Sequence, residues 1–294
     1  MSSLSLPIVI LLNNICQNIT LYIGQTILIA GIIGNMINLI IFISLKTFRH
    51  NSCAFYLIFM SFVNLGQLFT GYLSRILITG YEIDWTQTSL FYCKTRWFFF
   101  QIFTLTSYSC ISFAIIDQYQ GTVSYHRSQK WNNIQLAYRF CTIAFILSII
   151  HGIPSIFYFT HINTSILNKY LCIINNDIFY KYRTYGFNII LAGILPILTT
   201  VIFGLLVYRN VQNISYRTIP LVRRQLDQQL TNMILTQIIY ILIAILPYTI
   251  VIILITNINL SNQPILTVSF QFAECFGAMI YYSYFSVSCI CFYQ

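Results

Sequence analysis

A run of 25 residues, from Leu21 to Leu45, contains no charged side chain. As an α-helix it would be about 37 Å long, which exceeds the roughly 30 Å thickness of the hydrocarbon core of a bilayer. A soluble protein would have to cover such a helix with apolar surface along its whole length. The run therefore predicts a helix that crosses a membrane.

Six further apolar runs follow, separated by short polar segments. Apolar residues make up 57% of the chain and charged residues only 7%, so a soluble fold could not present a charged exterior. The predicted fold class is an all-α membrane protein, a bundle of seven transmembrane helices that forms one domain over residues 21–292. The predicted helices cover about residues 21–45, 53–78, 90–117, 139–160, 185–208, 231–256 and 265–292.

The basic residues between the helices predict the orientation of the bundle. One side of the predicted membrane has nine of them and the other has five, and the richer side is expected to be cytoplasmic. The N-terminus is then outside, and residues 1–20 form an extracellular segment. The nine are Lys46, Arg49, Arg127, Lys130, Arg139, Arg209, Arg217, Arg223 and Arg224, and the five are Lys94, Arg96, Lys169, Lys181 and Arg183.

Two sequence signals agree with this orientation or complete it. Asn18 and Asn163 begin Asn-X-Ser/Thr acceptor sequences for N-glycans, and both fall on the outer side. No C-terminal tail is expected after the seventh helix, because the given sequence ends at Gln294.

Four of the nine cysteines face the oxidising exterior in this topology, where disulfides form. Cys93 begins the third helix and Cys172 lies in the loop between the fourth and fifth helices. We expect a bond between these two, which would hold the loop over the outer mouth of the bundle. We do not expect a bond between the other two, Cys16 and Cys275. The remaining cysteines are expected to be small packing residues: Cys53, Cys110, Cys141, Cys289 and Cys291.

An ordered set of short motifs resembles the rhodopsin-like (class A) G-protein-coupled receptors, and among them the peptide receptors of invertebrates. The resemblance covers about residues 21–292, and it implies an extracellular ligand, a neuropeptide, and a heterotrimeric G protein as partners in the plasma membrane. The matching motifs are Gly34-Asn35, Cys93 with Cys172, Asp117-Gln118-Tyr119 at 24 to 26 residues after Cys93, and Pro154, Pro196 and Pro247.

The chain departs from the family at positions that take part in receptor activation in the family. In the family, the Arg of an Asp-Arg-Tyr triplet pairs with an acidic residue at the base of the sixth helix in the inactive state. Asp227 occupies the place of that acid, but Gln118 replaces the Arg, so we expect a weaker link and altered basal activity or coupling. Asn64 replaces the family's sodium-binding Asp, so poor sodium binding is expected.

The resemblance assigns activation roles to Asn35, Asn64, Asp117, Gln118, Tyr119, Asp227 and Pro247. Pro247 lacks a backbone N–H and is interpreted as the pivot of the sixth helix, although a packing role is the alternative. The Asn-Pro-X-X-Tyr motif of the family is missing, and the segment from Ser288 to Phe292 takes its place. Arg223 and Arg224 precede Asp227 and would contact either the G protein or anionic membrane lipids.

Two charges inside the spanning segments are candidates for a ligand site, because buried charges in membranes are costly. Arg75 lies towards the outer end of the second helix and Glu274 in the outer half of the seventh. They form an ion pair between the helices, or they bind charged groups of the ligand, or Arg75 extends to the lipid headgroups. Four more residues are expected to line the same cavity: Gln67, Trp97, Phe100 and Gln101.

Other ligand and function classes fit less well. Phe100 stands where amine receptors have an Asp, and no Lys lies near Tyr282 to bind retinal. A polytopic transporter, with Arg75 and Glu274 as substrate or proton sites, is an alternative that the lack of internal repeats disfavours. A receptor that has lost G-protein coupling is a further alternative. Scattered histidines and the lack of a basic face predict no enzyme, no cofactor, no metal and no nucleic acid partner.

Overall fold

The computed structural model describes residues 5–44, 51–123, 134–164, 169–213, 221–258 and 264–286. Seven long helices, α1 to α7 in chain order, run through these residues and form one bundle. The first four are α1 (Ser5–Ile19, Thr20–Gly24 and Gln25–Ser44), α2 (Ser52–Gln67, Leu68–Tyr72, Leu73–Arg75 and Ile76–Gly80), α3 (Leu90–Val123) and α4 (Ile134–Tyr158). The other three are α5 (Asp177–Lys181, Tyr182–Ile194 and Leu195–Asn213), α6 (Leu221–Asn257) and α7 (Pro264–Tyr284).

The bundle is that of an all-α membrane protein. Within the described residues, six helices are long and apolar enough to cross a membrane: Pro7–Ser44, Ser52–Thr79, Leu90–Thr122, Ile134–Tyr158, Asp177–Asn210 and Thr231–Asn257. The 21 residues of α7 give a length of about 31 Å, which also matches the hydrocarbon core. Large apolar side chains such as Ile29, Phe62 and Phe157 are exposed on the outward faces, where lipid would surround them.

The helix α3 is the centre of the bundle. It packs against α2, α4 and α5 along its length and also contacts α6. Its inner half buries Cys110, Ile111, Ala114 and Ile115 completely. Small and β-branched side chains allow neighbouring helices to approach closely, which is how helices associate in lipid.

Three helices begin well before their predicted starts, and one of them is α6, which begins at Leu221 instead of near Thr231. The structure has α1 beginning at Ser5 instead of near Leu21, so most of the predicted extracellular segment is helical. It has α5 beginning at Asp177 instead of near Tyr185, and Asn176 caps it by accepting a hydrogen bond from the backbone N–H of Phe179. Residues that the sequence placed in loops therefore lie on helices.

A β-hairpin covers one end of the bundle. Strands β1 (Phe159–Thr164) and β2 (Lys169–Ile174) are antiparallel, with His161 opposite Cys172. Cys172 forms the expected disulfide with Cys93 at the start of α3, with 5.9 Å between the Cα atoms. The bond holds the hairpin against α3, and the His161 ring nitrogen Nε2 also lies 2.6 Å from the carbonyl oxygen of Thr86.

The structure contains a second disulfide that the sequence analysis did not expect. Cys16 and Cys275 are bonded, with 6.3 Å between their Cα atoms. The expectation was wrong because it treated Cys16 as part of an irregular segment, whereas the extended α1 places it beside α7. Both disulfides lie at the same end of the bundle, which we call the outer end, and Asp117 lies at the inner end.

Candidate functional site

Arg75 of α2 and Glu274 of α7 form an ion pair at the outer end. The distance from Nη1 to Oε1 is 3.7 Å, and the two side chains are 23% and 34% exposed. This distance is too long for a strong charge-assisted hydrogen bond, and the partial exposure screens the charges. The structure thus brings these two predicted residues together as a loose pair that joins α2 to α7.

Tyr282 of α7 lies further towards the inner end than this pair, and its ring contacts both α2 and α3. Its ring stacks on Tyr72 of α2 at a centroid distance of 4.7 Å and meets Phe100 of α3 edge-on at 6.4 Å. The Tyr282 hydroxyl is within electrostatic range of four charged side chains. These are Arg75, Arg96, Arg183 and Glu274.

Arg183 enters the site from α5 and is buried, with only 8% of the residue exposed. The central carbon of its guanidinium lies 3.7 Å from the ring centroid of Trp97 and 4.7 Å from that of Phe159. The two rings are nearly parallel, at 5.5 Å. Arg96, next to Trp97 in the chain, lies 5.1 Å from the same indole ring. Cation–π contacts therefore hold two arginines at the outer end of α3.

Three of the four predicted lining residues meet at this site. Phe100 packs between Trp97, at 5.6 Å, and Tyr282. A Cβ atom placed on Gly71 would lie 3.0 Å from Nε2 of Gln67 and 3.1 Å from the rings of Phe100 and Tyr282, so these side chains converge there. Both polar side-chain atoms of Gln67 are buried and have no hydrogen-bond partner in the described part of the chain.

Gln101 is the predicted lining residue that faces elsewhere. It is 2% exposed, and its Oε1 accepts a hydrogen bond of 2.9 Å from the Ser155 hydroxyl. This contact ties α3 to α4 on the side away from α7. Gln101 thus stabilises the packing of α3 against α4 instead of lining the outer site.

The inner end joins α3 to α2 and α6 through the Asp-Gln-Tyr triplet. Oε1 of Gln118 accepts a hydrogen bond of 3.0 Å from the Thr231 hydroxyl of α6, and both residues are buried. Oδ2 of Asp117 accepts one of 2.8 Å from the Ser52 hydroxyl at the start of α2. The Tyr119 ring packs on Phe203 of α5 at 5.6 Å.

Thr231 is the α6 contact of Gln118 that the structure describes. From the sequence, the expected α6 partner of Gln118 is the acid Asp227, which lies about one helical turn before Thr231. The side chains of Asp227, Arg223 and Arg224 lie outside the described residues, although the backbone of α6 includes them. A neutral amide pairs well with a hydroxyl, and such a bond contributes about 0.5–1.5 kcal/mol.

Two asparagines connect helices in the middle of the bundle. Nδ2 of Asn35 on α1 donates to the carbonyl oxygens of Gly31 and Phe285, each at 2.8 Å, so it links α1 to the end of α7. Oδ1 of Asn64 on α2 accepts a hydrogen bond of 2.6 Å from the Ser107 hydroxyl of α3. The oxygen that sequence analysis placed at a sodium position therefore has a protein donor.

Comparison with protein families identifies the chain. The family described as 7 transmembrane receptor (rhodopsin family) matches residues 34–282, which reach from α1 to α7. The chain belongs to this rhodopsin family of receptors. A search of the curated proteins found no match. Membership makes the protein a multi-pass membrane receptor of class A, with a ligand and a G protein as partners, in a family of receptors and not of enzymes.

The receptor contains site residues that the sequence analysis missed. Arg96 and Arg183 were counted only as outer basic residues, and Tyr282 was considered only as a replacement for the retinal lysine. For Arg183, the signal was present in the Asn176-Asp177 capping sequence, which moves the helix start eight residues earlier and places the arginine inside a spanning helix. Nothing in the sequence indicated that Thr231 and Ser52 would be the partners of the triplet.

Other predictions from the sequence concern the surface of the receptor and its C-terminal end. Asn18 on α1 and Asn163 on β1 are exposed at the outer end, and their glycosylation stays a prediction. The segment from Ser288 to Phe292 lies outside the described residues. Pro247 lies inside α6, and Pro154 lies inside α4.

Proposed function

We propose that this receptor resides in the plasma membrane, binds an extracellular peptide at its outer end and signals by outward movement of the inner half of α6. The observation that carries the proposal is the set of charged side chains at the outer end, where Arg75 pairs with Glu274 and both Arg96 and Arg183 lie at the Trp97 ring. Charged groups inside a bundle that spans a membrane are costly. They are suited to a polar, flexible ligand such as a peptide.

A chain of contacts leads from the charged cluster to the proline of α6. The Tyr248 ring packs on Tyr281 of α7 at 4.8 Å, and a Cβ on Gly277, about one turn after Glu274, would lie 3.5 Å from the Tyr248 Cα. Tyr248 directly follows Pro247, where α6 lacks one backbone hydrogen bond. A ligand that rearranges the Arg75 and Glu274 pair changes the surroundings of Tyr248 and favours a different bend at Pro247.

At the inner end, α6 has to separate from α3 for a G protein to enter. The described link between them is the uncharged bond from Thr231 to Gln118. Breaking a neutral hydrogen bond costs less than breaking a charge-assisted one. We therefore propose that the inactive state of this receptor is held less firmly than in relatives with an arginine at this position.

The first experiment is recruitment of a G-protein surrogate in cells that express the receptor, tested across a library of neuropeptides. Gln118→Arg is tested beside the given sequence, and surface staining controls for expression. Peptide-dependent recruitment by both proteins is the expected result. Recruitment by the arginine variant alone would mean that the outer site binds peptide but native coupling is lost. Silence from both proteins at normal surface levels would contradict the proposal.

A further inference from the structure

We infer that Arg183 binds a carboxylate of the ligand, with Arg96 beside it, and that Arg75 does not. This inference rests on the proposed function, because it assumes that an extracellular ligand occupies the outer end. It differs from the alternative that the sequence left open, in which Arg75 binds a charged group of the ligand. It names both the chemical class of the ligand group and the side chain that receives it.

Among the described residues, the positive charges at the outer end are not balanced by carboxylates. Glu274 is engaged with Arg75 at 3.7 Å. Asp84 interacts electrostatically with Arg96, but its carboxylate accepts hydrogen bonds from the backbone N–H and hydroxyl of Thr86 and from Gln87. Within the described residues, Arg75 and Glu274 are the one ion pair, so Arg96 and Arg183 have no carboxylate of their own.

The burial of Arg183 also favours an anionic partner from the ligand. Its guanidinium has five N–H donors, and no hydrogen bond to it is found in the part of the chain that the structure describes. A buried cation without an anion is unfavourable, and aromatic rings recover only part of the lost hydration. A carboxylate from the ligand supplies both the missing charge and the missing acceptors.

The guanidinium of Arg183 is also held in a fixed orientation. It lies over Trp97 and Phe159, and both rings are anchored close to the Cys93–Cys172 disulfide: Trp97 follows Cys93 on α3, and Phe159 packs around it from β1. The planar group is therefore held before the ligand arrives. A held guanidinium binds a carboxylate through two parallel hydrogen bonds, with little further loss of conformational entropy.

A pair of small probes tests this inference without G-protein coupling. N-acetyl-L-phenylalanine has a carboxylate and an aromatic ring, and its amide differs only in lacking the charge. The thermal stability of the purified full-length receptor is measured while each probe is titrated. We expect the acid to raise the unfolding temperature, and the amide to do so only at about tenfold higher concentration or more.

Variants assign the effect to Arg183. Arg183→Gln is expected to remove the preference for the acid, and Arg183→Lys to keep part of it, because lysine retains the charge but not the planar fork. Lys181→Gln is the matched control, since Lys181 is an exposed cation two residues earlier on the same helix. Equal stabilisation by acid and amide, no stabilisation by the acid, or a preference that persists in Arg183→Gln would overturn the inference.

Active peptides then identify the source of the carboxylate. Each peptide that recruits the G-protein surrogate is compared with its C-terminal amide and with versions whose acidic side chains are changed to amides. Loss on C-terminal amidation assigns the terminal carboxylate, and loss on the side-chain change assigns an acidic residue. Peptides that are insensitive to both changes and to Arg183→Gln would contradict the inference while leaving the receptor function intact. Failure of every peptide to recruit, with the acid preference present, would contradict the receptor function alone.

Discussion

The Thr231 hydroxyl of α6 donates a hydrogen bond to Oε1 of Gln118 on α3, at 3.0 Å between two buried residues. This bond occupies the place where the receptor family places an arginine and its acidic partner. It joins the same two helices with uncharged groups. In the proposed mechanism, this bond, worth about 1 kcal/mol, is part of what holds the inactive state.

Replacing Thr231 by valine should raise basal recruitment of the G-protein surrogate about fivefold. Valine has nearly the same shape, but it removes the donor and leaves the Gln118 oxygen buried without this partner. Thr236→Val is the control, because Thr236 is exposed on the same helix and its hydroxyl donates to the backbone carbonyl of Asn232 in its own turn. Unchanged basal recruitment in Thr231→Val at equal surface expression would show that this contact does not stabilise the inactive state.

Arginine at position 118 should lower basal recruitment, provided that Asp227 faces it. Gln118→Arg and Asp227→Asn are combined in a double-mutant cycle. Asp227→Asn alone is expected to have little effect, because Gln118 forms no ion pair, but it should cancel the decrease that the arginine causes. Additive effects of the two changes would place Asp227 away from this position.

Pro247→Ala should reduce the maximal response to an active peptide without reducing its surface expression. The alanine restores a backbone donor in the middle of α6 and stiffens the proposed pivot. Pro154→Ala is the matched control, since it makes the same change inside α4. A similar loss in both variants would indicate a general effect on packing instead of a hinge in α6.

Removal of the disulfide between Cys16 and Cys275 should lower the unfolding temperature of the purified receptor. Because each single serine variant already breaks the bond, Cys16→Ser, Cys275→Ser and the double variant should show the same decrease. Thermal unfolding without reductant measures this. A double variant that loses clearly more than either single one would mean that the cysteines stabilise the receptor separately.

Gly66→Ala and Gly121→Ala should have opposite effects on stability. A Cβ on Gly66 would lie 2.7 Å from the Phe103 ring of α3, whereas a Cβ on Gly121 would meet no atom of the described residues within 4 Å. The first change forces α2 away from α3 and should cost about 1–3 kcal/mol. The second should be neutral or stabilise by up to about 1 kcal/mol, because alanine favours the helix. Thermal unfolding in detergent ranks the two, and equal values would contradict the close packing at Gly66.

The sequence predicted the fold more completely than the site, for a physical reason. Lipid requires long apolar segments whatever their neighbours are, so a run such as Leu21 to Leu45 reveals a spanning helix by itself. The family motifs and the Cys93–Cys172 bond follow from order and spacing. The contacts of a site depend instead on how each helix is rotated and on where it begins.

Arg183 and Cys16 illustrate that difference. Both lie beyond the apolar runs that mark the predicted helices, so both were placed in loops. Only the capped start at Asn176 brings Arg183 into α5, and only the extension of α1 brings Cys16 beside α7. The pairing of Gln118 with Thr231 depends on the packing of α3 against α6, which no local pattern encodes.

The π-helical segment Tyr182–Ile194 of α5 has a consequence for how ligand preference can change in this receptor. A π-helix turns less per residue than an α-helix. The angle about the helix axis between Arg183 and Pro196 therefore depends on the pitch of the whole segment. If the segment returned to α-helical pitch, Arg183 would rotate away from Trp97 while every ligand-facing residue kept its identity. If Arg183 binds the ligand as proposed, insertion or deletion of one residue between Arg183 and Pro196 would therefore change ligand preference without replacing any residue of the site.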